Sequence, residues 1–422
     1  MSRLNIYYGI YDGVKANMEK WETITGPPSI FAVKDDRVHL FEGKKYLDKY
    51  DVVTIDEALE RYPDAEIWLT YANRTFAKGI AEILLTKVPP HKIHFLAVDL
   101  EYRKSCTRLG RSIHYSIDRL PMCTVGNRKK PFIKTKGTIK ETIADWQDYS
   151  KKLIYANQLE SPNRCFACPL LKEGFYLKNI EVRNLRFLQN LKFDACNFKC
   201  IYCSAAKNKK FHSLREIDGP STADVIRGFY EMPEFRELGK DFTITFANGE
   251  LCANRFFDEI MDILLKSEWR IELLSNMSIY REKLAELMET GRVTKIISSI
   301  DAGTRETFHK IKKNDRFDTV LENLKKYPIE KTKLYLKYLF LEGINDNEVD
   351  VDGYYQIAKD TGSIIMLSTD YNTNSKPFTE SEKMRDLTLR IINRAKVDGI
   401  LVVPDANNIS AQDVAFINKH SG

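Results

Sequence analysis

The chain has 422 residues, 43% of them hydrophobic and 29% charged. That balance supplies a globular core and excludes an intrinsically disordered chain. Lys and Arg number 65 against 59 Asp and Glu, a net charge of +6, too small to mark a nucleic-acid binder by itself. At about 150 residues per domain the length suggests two to three domains. No apolar run approaches the roughly 18 residues of a membrane span. Met1 to Gly13 carries charges and tyrosines in place of an apolar export signal. These features predict a cytoplasmic protein with no membrane association.

The first hundred residues alternate strand-like and helix-like segments. Ser29–Val33 and Arg37–Phe41 read as short strands, Asp51–Thr54 as an apolar segment, and Ile55–Arg61 as a helix stopped at Pro63. Glu66–Ala72 is a further strand, Thr75–Lys87 an amphipathic helix ended by Pro89 and Pro90, and Lys92–Val98 another strand. This order predicts a small parallel sheet, a Rossmann-like α/β domain over residues 1–100. It lacks the G-x-G-x-x-G fingerprint, so no dinucleotide site is assigned. A docking role and a substrate-binding role both stay open.

Residues 101–185 read as a connector. Arg128, Lys129, Lys130, Lys134, Lys136 and Lys140 form a basic run. Thr138-Ile-Lys-Glu141 is a capping box opening a helix that extends to about Leu159. From Asn190 the α/β rhythm persists. Candidate strands are Leu191–Asp194, Phe242–Ala247, Ile271–Ser275, Lys295–Ile300, Leu334–Phe340 and Ser363–Ser368. Helices fit between them at Ser221–Met232, Arg255–Lys266, Arg281–Thr290, Phe317–Lys326 and Glu348–Asp360, with Glu380–Lys396 as a closing helix. Six strands, each followed by a helix, predict a partial (β/α)6 TIM-like barrel over residues 186–400, with 401–422 as a C-terminal tail. In such sheets chemistry collects at the C-terminal strand ends.

The eight cysteines are Cys106, Cys123, Cys165, Cys168, Cys196, Cys200, Cys203 and Cys252. A disulfide scaffold is normally a short secreted chain. Here five cysteines sit in two tight clusters of a long chain, which favours metal ligation in a reducing compartment. Cys196-Asn-Phe-Lys-Cys200-Ile-Tyr-Cys203 directly follows the first strand of the second α/β unit. Three thiolates so spaced can hold one metal centre and leave a fourth position free. Four cysteines usually complete an iron–sulfur cluster, so three leave one iron for a small molecule. The alternatives are a zinc knuckle or three unrelated core cysteines. Zinc takes four nitrogen or sulfur ligands, and no histidine follows closely before His212.

This Cys-x3-Cys-x2-Cys motif resembles that of the radical S-adenosylmethionine (radical SAM) superfamily, and further stations match in order over about residues 186–370. Tyr202 stands where the family places an aromatic against adenine. Asn248-Gly249-Glu250 follows the second strand, where the family carries a Gly-Gly-Glu motif that holds the methionyl amino group. Ser275-Asn276 ends the third strand. Ser298-Ser299-Ile-Asp301 ends the fourth, where members contact the ribose and carboxylate. Lys337 lies on the fifth strand, and Gly343-Ile-Asn345-Asp346 follows it. The sequence departs at Asn248, in place of the first glycine, and at Leu251, in place of a proline. Ser368-Thr-Asp370-Tyr replaces a glycine-rich closure of the sixth strand.

The resemblance implies a 4Fe–4S cluster on Cys196, Cys200 and Cys203 that chelates SAM. Electron donation into the sulfonium then yields a 5′-deoxyadenosyl radical, which abstracts hydrogen from an unreactive carbon. It implies Glu250, Asn248 and the backbone at Gly249 as contacts to the amino group, and Ser275, Asn276, Ser299 and Asp301 as further SAM contacts. It also implies a flavodoxin or ferredoxin as electron donor.

Each residue has a plainer reading. Tyr202 fits a core aromatic, and Glu250 a cap for the helix that follows. One of Ser298 and Ser299 is expected to face the core and the other the cavity. Lys337 lies in an otherwise apolar strand and is assigned a catalytic role with a carboxylate partner. Cys252 is assigned as a hydrogen donor or relay, with a small buried side chain as the alternative. Lys312 and Lys313, after Phe308, could reach SAM, with a solvated helix end as the plainer reading. Cys106, Cys123, Cys165 and Cys168 supply ligands for a second iron–sulfur cluster or a zinc ion, or are free buried thiols. The expected substrate is an anionic small molecule such as a nucleotide-linked sugar or polysaccharide precursor. The rivals are a peptide- or RNA-modifying enzyme and a non-catalytic zinc or iron–sulfur module.

Overall fold

A computed structural model describes residues 4–106, 109–115, 119–121, 132–134, 137–159, 165, 168, 171–190, 195–203, 220–370, 377–406 and 408–421. The chain divides into two compact units, Met1–Gly110 with Asp148–Glu181, and Arg111–Gln147 with Val182–Gly422.

Among the described residues, the first unit holds five parallel strands: β1 (Asn5–Tyr8), β2 (Ile30–Val33), β3 (Val52–Thr54), β4 (Glu66–Leu69) and β5 (Ile93–Phe95), in the order β3-β2-β1-β4-β5. Both β1 and β2 are buried along their whole length, as expected of a parallel sheet covered on both faces. Alternation splits their side chains between two cores. Ile6, Tyr8, Ile30 and Ala32 pack with Ile80 and Leu84, while Tyr7 and Phe31 pack with Val14 and Trp21. Those partners come from α1 (Asp12–Thr25) and α3 (Arg74–Leu84); α2 (Ile55–Arg61) lies between them in the chain. Thr54 and Asn73 cap α2 and α3 by accepting from Glu57 N and Phe76 N.

Two readings of this region change. The tyrosine-rich opening contains β1 and α1, which the sequence pattern leaves unassigned. Arg37–Phe41 belongs to a 3₁₀ helix, Asp35–Phe41, with no buried residue. Its apolar side chains have no strand to pair with, and Asp35 and Asp36 suit a helical first turn.

The second unit holds, among the described residues, eight parallel strands: β6 (Ser112–Tyr115), β7 (Phe187–Asn190), β8 (Thr243–Phe246), β9 (Arg270–Leu274), β10 (Val293–Ser299), β11 (Leu334–Phe340), β12 (Ile364–Thr369) and β13 (Val402–Pro404). They form one sheet in simple sequential order. Parallel neighbours need long crossovers. Helices supply them: α4 (Ile139–Gln158) precedes β7, and α5 (Thr222–Glu231) and α6 (Pro233–Leu238) precede β8. Then come α7 (Phe257–Lys266), α8 (Glu282–Glu289), α9 (Arg305–Lys312), α10 (Phe317–Lys326), α11 (Glu348–Thr361) and α12 (Glu382–Asp398), and α13 (Ala411–Ser421) follows β13. The capping box at α4 is formed: Glu141 N donates to Thr138 Oγ1 and Thr138 N donates to the Glu141 carboxylate.

Residues 401–422 are therefore no tail, because β13 pairs with β12 and α13 follows. The connector is likewise absorbed into sheets. Leu100–Ser105 pairs antiparallel with Lys172–Leu177 in the first unit, and β6 lies at the edge of the large sheet. The predicted strand Leu191–Asp194 lies outside the described residues, as do Arg128, Lys129, Lys130 and Lys136 of the basic run.

The large sheet has two unlike faces. Ile244, Leu273, Ile296, Leu336 and Ile365 are buried, whereas Gln189, Thr245, Glu272, Lys295, Ser299 and Lys337, at alternate positions, are only half-buried. At the C-terminal end of β10 the backbone packs tightly on α11. A Cβ on Gly353 would lie 2.3 Å from Gly303 O. Nearby, the Asp350 carboxylate accepts from Gly303 N, Thr304 Oγ1 and Thr307 Oγ1. Gly353→Ala is therefore expected to destabilise the protein by about 1–3 kcal/mol. A lowered thermal midpoint checks this, and an unchanged midpoint would contradict the close approach.

Candidate active site

The segment 195–203 follows β7 and has little regular structure of its own. Cys196, Cys200 and Cys203 are half-buried free thiols. Burial pushes the Cys196 thiol up to about 12, with further upward contributions from Glu250, Cys200 and Cys203. Burial also raises Cys200, opposed by the Lys312 cation. The three sulfurs thus lie within electrostatic reach of one another. Among the described residues no three His, Cys, Asp or Glu side chains converge on a single-ion position. A zinc ion needs all its sulfurs about 2.3 Å from one centre. A cluster instead meets each thiolate at a different iron, and three cysteines at this spacing supply three such ligands.

Other strand ends hold this segment in place. Glu250 N donates to Ala195 O at 2.7 Å, so the residue beside Cys196 is bonded to the turn after β8. Gly249 has φ 75°, a left-handed conformation that suits glycine. The Glu250 side chain is 2% exposed. Its carboxylate accepts from Ser275 Oγ (3.0 Å), Asn276 N (2.6 Å) and Cys252 N (3.1 Å). Burial raises its pKa and those hydrogen bonds lower it. The capping role and a ligand role thus share one group, since Glu250 also caps the turn Leu251–Ala253.

A second anchor joins three side chains. Asn276 Nδ2 donates to Asn197 Oδ1 (2.8 Å), Asn197 Nδ2 to Ser278 Oγ (2.7 Å), and Ser278 Oγ to Asn276 Oδ1 (2.7 Å). This closed ring couples the cysteine segment to the loop after β9. Sequence reading misses Asn197 and Ser278, because Asn197 is 79 residues from Asn276 and 81 from Ser278.

The third anchor corrects one expectation, the solvated reading of Lys312. Asp301 is fully buried, and its Oδ2 accepts from Tyr202 Oη (2.7 Å) and Lys312 Nζ (2.5 Å), while Oδ1 accepts from Leu339 N (2.8 Å). Its carboxylate thus has three donors within the protein, Tyr202, Lys312 and Leu339. Lys312 is no solvated helix end: its side chain is 2% exposed, and Nζ also donates to Tyr202 Oη (2.7 Å). Tyr202 is half-buried and packs with Ile201 against Ile311, Leu339 and Leu341.

The remaining candidates divide by face. Ser298 is buried, and its hydroxyl has no hydrogen-bond partner among the described residues. Ser299, on the half-exposed face, is in register with Lys337. Lys337 Nζ lies 3.4 Å from Asp405 Oδ2, which also accepts from Ser368 Oγ and Asn408 Nδ2. Asp405 follows β13 in the segment the sequence pattern leaves as tail. Asn248 is exposed beside Gly249. Cys252 is 1% exposed. Burial raises its thiol strongly, and Tyr327 and Glu250 hydrogen-bond to it. Its backbone N–H donates to the Glu250 carboxylate, so it underpins Glu250.

Cys106, Cys165 and Cys168 are half-buried in the first unit. Cys168 N donates to Cys165 O (2.9 Å), forming a turn, and Cys106 follows Ser105, the partner of Lys172. Cys123 lies outside the described residues.

The family model described as Radical SAM superfamily matches residues 191–352. Among solved structures the chain is similar to a histidine-tagged anSMEcpe with bound AdoMet, at 16% identity and TM-score 0.36, covering 51% of this chain and 62% of that one. It is similar to Streptococcus suis SuiB bound to precursor peptide SuiA, at 11% identity and TM-score 0.39, covering 73% and 71%. A radical SAM methyltransferase from Sphaerobacter thermophilus aligns at 14% identity and TM-score 0.33, covering 50% and 63%. The match thus spans less than two thirds of anSMEcpe and of the methyltransferase. No curated protein matches the chain. The half-buried thiol trio therefore sits inside residues 191–352, the part of this chain that matches the radical SAM superfamily domain.

Proposed function

We propose that Cys196, Cys200 and Cys203 hold a 4Fe–4S cluster with one iron left for SAM, and that the enzyme abstracts hydrogen from a carbon of a hydrophilic, hydroxyl-rich small molecule. The observation that carries this reading is Glu250, a buried carboxylate fixed by three donors and tied through its own N–H to the residue beside Cys196. Cluster and SAM together supply reductive carbon–sulfur cleavage and a radical able to abstract hydrogen. The chain supplies binding and orientation. Glu250 is a preorganised anion for the SAM ammonium, set before binding and so needing little rearrangement. Ser275 and Asn276 hold it, the Gly249 backbone and Asn248 flank it, and Ser299 lies on the substrate-facing side.

We read the large sheet as a partial barrel whose C-terminal strand ends form the reaction mouth, and the first unit as a Rossmann-like domain. Gln189, Thr245, Glu272, Lys295, Ser299 and Lys337 give the half-exposed face a polar, mixed-charge lining. Such a lining supports a polar substrate over a lipid-like one. Its lysines support an anionic group, as in a nucleotide-linked sugar or polysaccharide precursor. Lys337 and Asp405 together offer a donor and an acceptor to such hydroxyls. A flavodoxin or ferredoxin in the cytoplasm would supply the electron. Cys106, Cys165 and Cys168 form part of a second iron–sulfur or zinc centre in this reading.

Anaerobic reconstitution with iron and sulfide, followed by dithionite and SAM, tests the reaction. Wild type should form 5′-deoxyadenosine, and Cys200→Ala should lose both the cluster absorbance and that product. Persistence of either in the variant would remove the assignment. Glu250→Gln should keep its iron but bind SAM about 10- to 100-fold more weakly, the loss of a charged hydrogen bond worth ~1.5–3 kcal/mol. Calorimetric titration measures it, and unchanged affinity would sink the ammonium role. Offered nucleotide-linked sugars, short peptides or RNA, the enzyme should convert only the sugars; turnover confined to peptides or RNA would replace the substrate class.

A further inference from the structure

We propose that the first unit binds a sugar ring at the C-terminal edge of its sheet, holding the ring's hydroxyls between the Tyr8 and Tyr71 phenols and the Asp35 and Asp36 carboxylates. The inference rests on the Rossmann-like reading of this unit and gives it a ligand. The chemistry recognised is a ring with neighbouring hydroxyls, whether the ribose of a nucleoside or a hexose.

Strand order decides the place. In β3-β2-β1-β4-β5, β1 and β4 are neighbours, but the helices that follow them part. Val14 and Trp21 of α1 pack with Tyr7 and Phe31, whereas Ile80 and Leu84 of α3 pack with Tyr8 and Ile30, on the opposite face. The loops after β1 and β4 therefore diverge, and open α/β sheets bind ligands in the crevice at such a point. Thr70 Oγ1 donates to Tyr8 O (3.0 Å) and Gly9 O (2.6 Å), joining the two strand ends at its base. A Cβ on Gly9 would lie 2.6 Å from the Tyr71 ring, so only glycine lets that ring lie there. Lys34, which follows β2, has Nζ 4.7 Å from the ring centroid of Phe76 in α3. The segments after β2 and β4 thus meet across the end of β1.

Tyr8 points to a ligand. It is 5% exposed, and a buried tyrosine hydroxyl usually has a hydrogen-bond partner. Neither the Tyr8 nor the Tyr71 hydroxyl makes a hydrogen bond among the described residues, and neither oxygen is sealed from solvent. The two rings meet edge to face, 6.1 Å between centroids, so two unused donors open side by side. Asp35, Asp36 and Asp56 are within electrostatic reach of the Tyr8 phenol. Asp56 is paired with Lys87, whereas Asp35 and Asp36 are exposed at the end of β2. An acid at that strand end accepts from ribose hydroxyls in sheets of this kind. Phenols and carboxylates together suit hydroxyl groups, and the tyrosine rings suit the C–H face of a sugar. A pyrophosphate is not suited. A Cβ on Gly13 would lie 2.5 Å from the Tyr11 ring, so that ring covers the first turn of α1, where a dinucleotide would place its phosphates.

Saturation-transfer NMR on the full chain tests this, with uridine, guanosine, glucose and N-acetylglucosamine as probes. Transfer should reach the ring C–H protons of the nucleoside ribose or of the hexose, and excess pyrophosphate should not displace the probe. Transfer to ribose alone identifies a nucleoside site, and transfer to hexose alone a sugar site. Tyr8→Phe and Tyr71→Phe each remove one oxygen and keep the ring. Each should weaken binding about 3- to 10-fold with an unchanged thermal midpoint. No transfer to any probe would overturn the proposal, as would wild-type affinity in the double variant Tyr8→Phe/Tyr71→Phe or displacement by pyrophosphate. If the tyrosine variants do not fold, Asp35→Asn/Asp36→Asn decides: it should weaken binding at least as much, and unchanged affinity would overturn the proposal. Cys200→Ala, without a cluster, should bind the probe as wild type does, and loss of binding there would place the ligand in the second unit instead. A chain that forms 5′-deoxyadenosine but binds no sugar overturns this inference alone.

Discussion

The arrangement depends on how a segment with little regular structure is held still. Residues 195–203 gain few hydrogen bonds from a helix or sheet of their own. Their position comes from strand ends and helix termini around them: Glu250 N on Ala195, the Asn197–Asn276–Ser278 ring, and the Lys312–Asp301 pair beneath Tyr202. Each anchor rises from a different strand of one parallel sheet. A sheet buried on its helix side moves as a unit, so three anchors on it fix one geometry. The cost is concentrated in the buried charges, which persist only because each is hydrogen-bonded to partners held in place by the sheet.

The same sheet separates stability from chemistry. On one face of the sheet Ile244, Leu273, Ile296, Leu336 and Ile365 are apolar and buried. Its other face carries Thr245, Glu272, Lys295, Ser299 and Lys337 at a spacing of alternate residues. Because neighbouring strands are in register, Ser299 and Lys337 meet side by side near the end that holds Glu250 and the thiols. Strand parity thus decides which of two adjacent serines lies on the half-exposed face: Ser299 does and Ser298 does not.

Much of this was legible in the sequence. Phe317–Lys326 and Leu334–Phe340 appear at the predicted bounds, because an amphipathic helix and a long apolar strand each carry a strong period. The thiol trio was legible from spacing, and Glu250 from the resemblance of Asn248-Gly249-Glu250 to the family's Gly-Gly-Glu motif. Shorter elements were not: β13 has three residues, too few to show a period, and Asp405, the Lys337 partner, was missed with it. Lys312 looked like a solvated helix end because local sequence shows its charge but not Asp301, which reaches it from across a loop. Asn197 and Ser278 carry no local signal, since their bonds close only in the folded chain. Arg37–Phe41 shows the opposite error, a strand-like composition in a segment with no strand beside it.

The central claim is that the cysteine segment presents an iron cluster to SAM against a carboxylate already in place. EPR of the anaerobically reduced protein, recorded before and after addition of SAM, addresses that claim most directly. The expected result is a reduced cluster signal whose shape changes when SAM binds. A protein without iron, or a signal that SAM leaves unaltered, would contradict it.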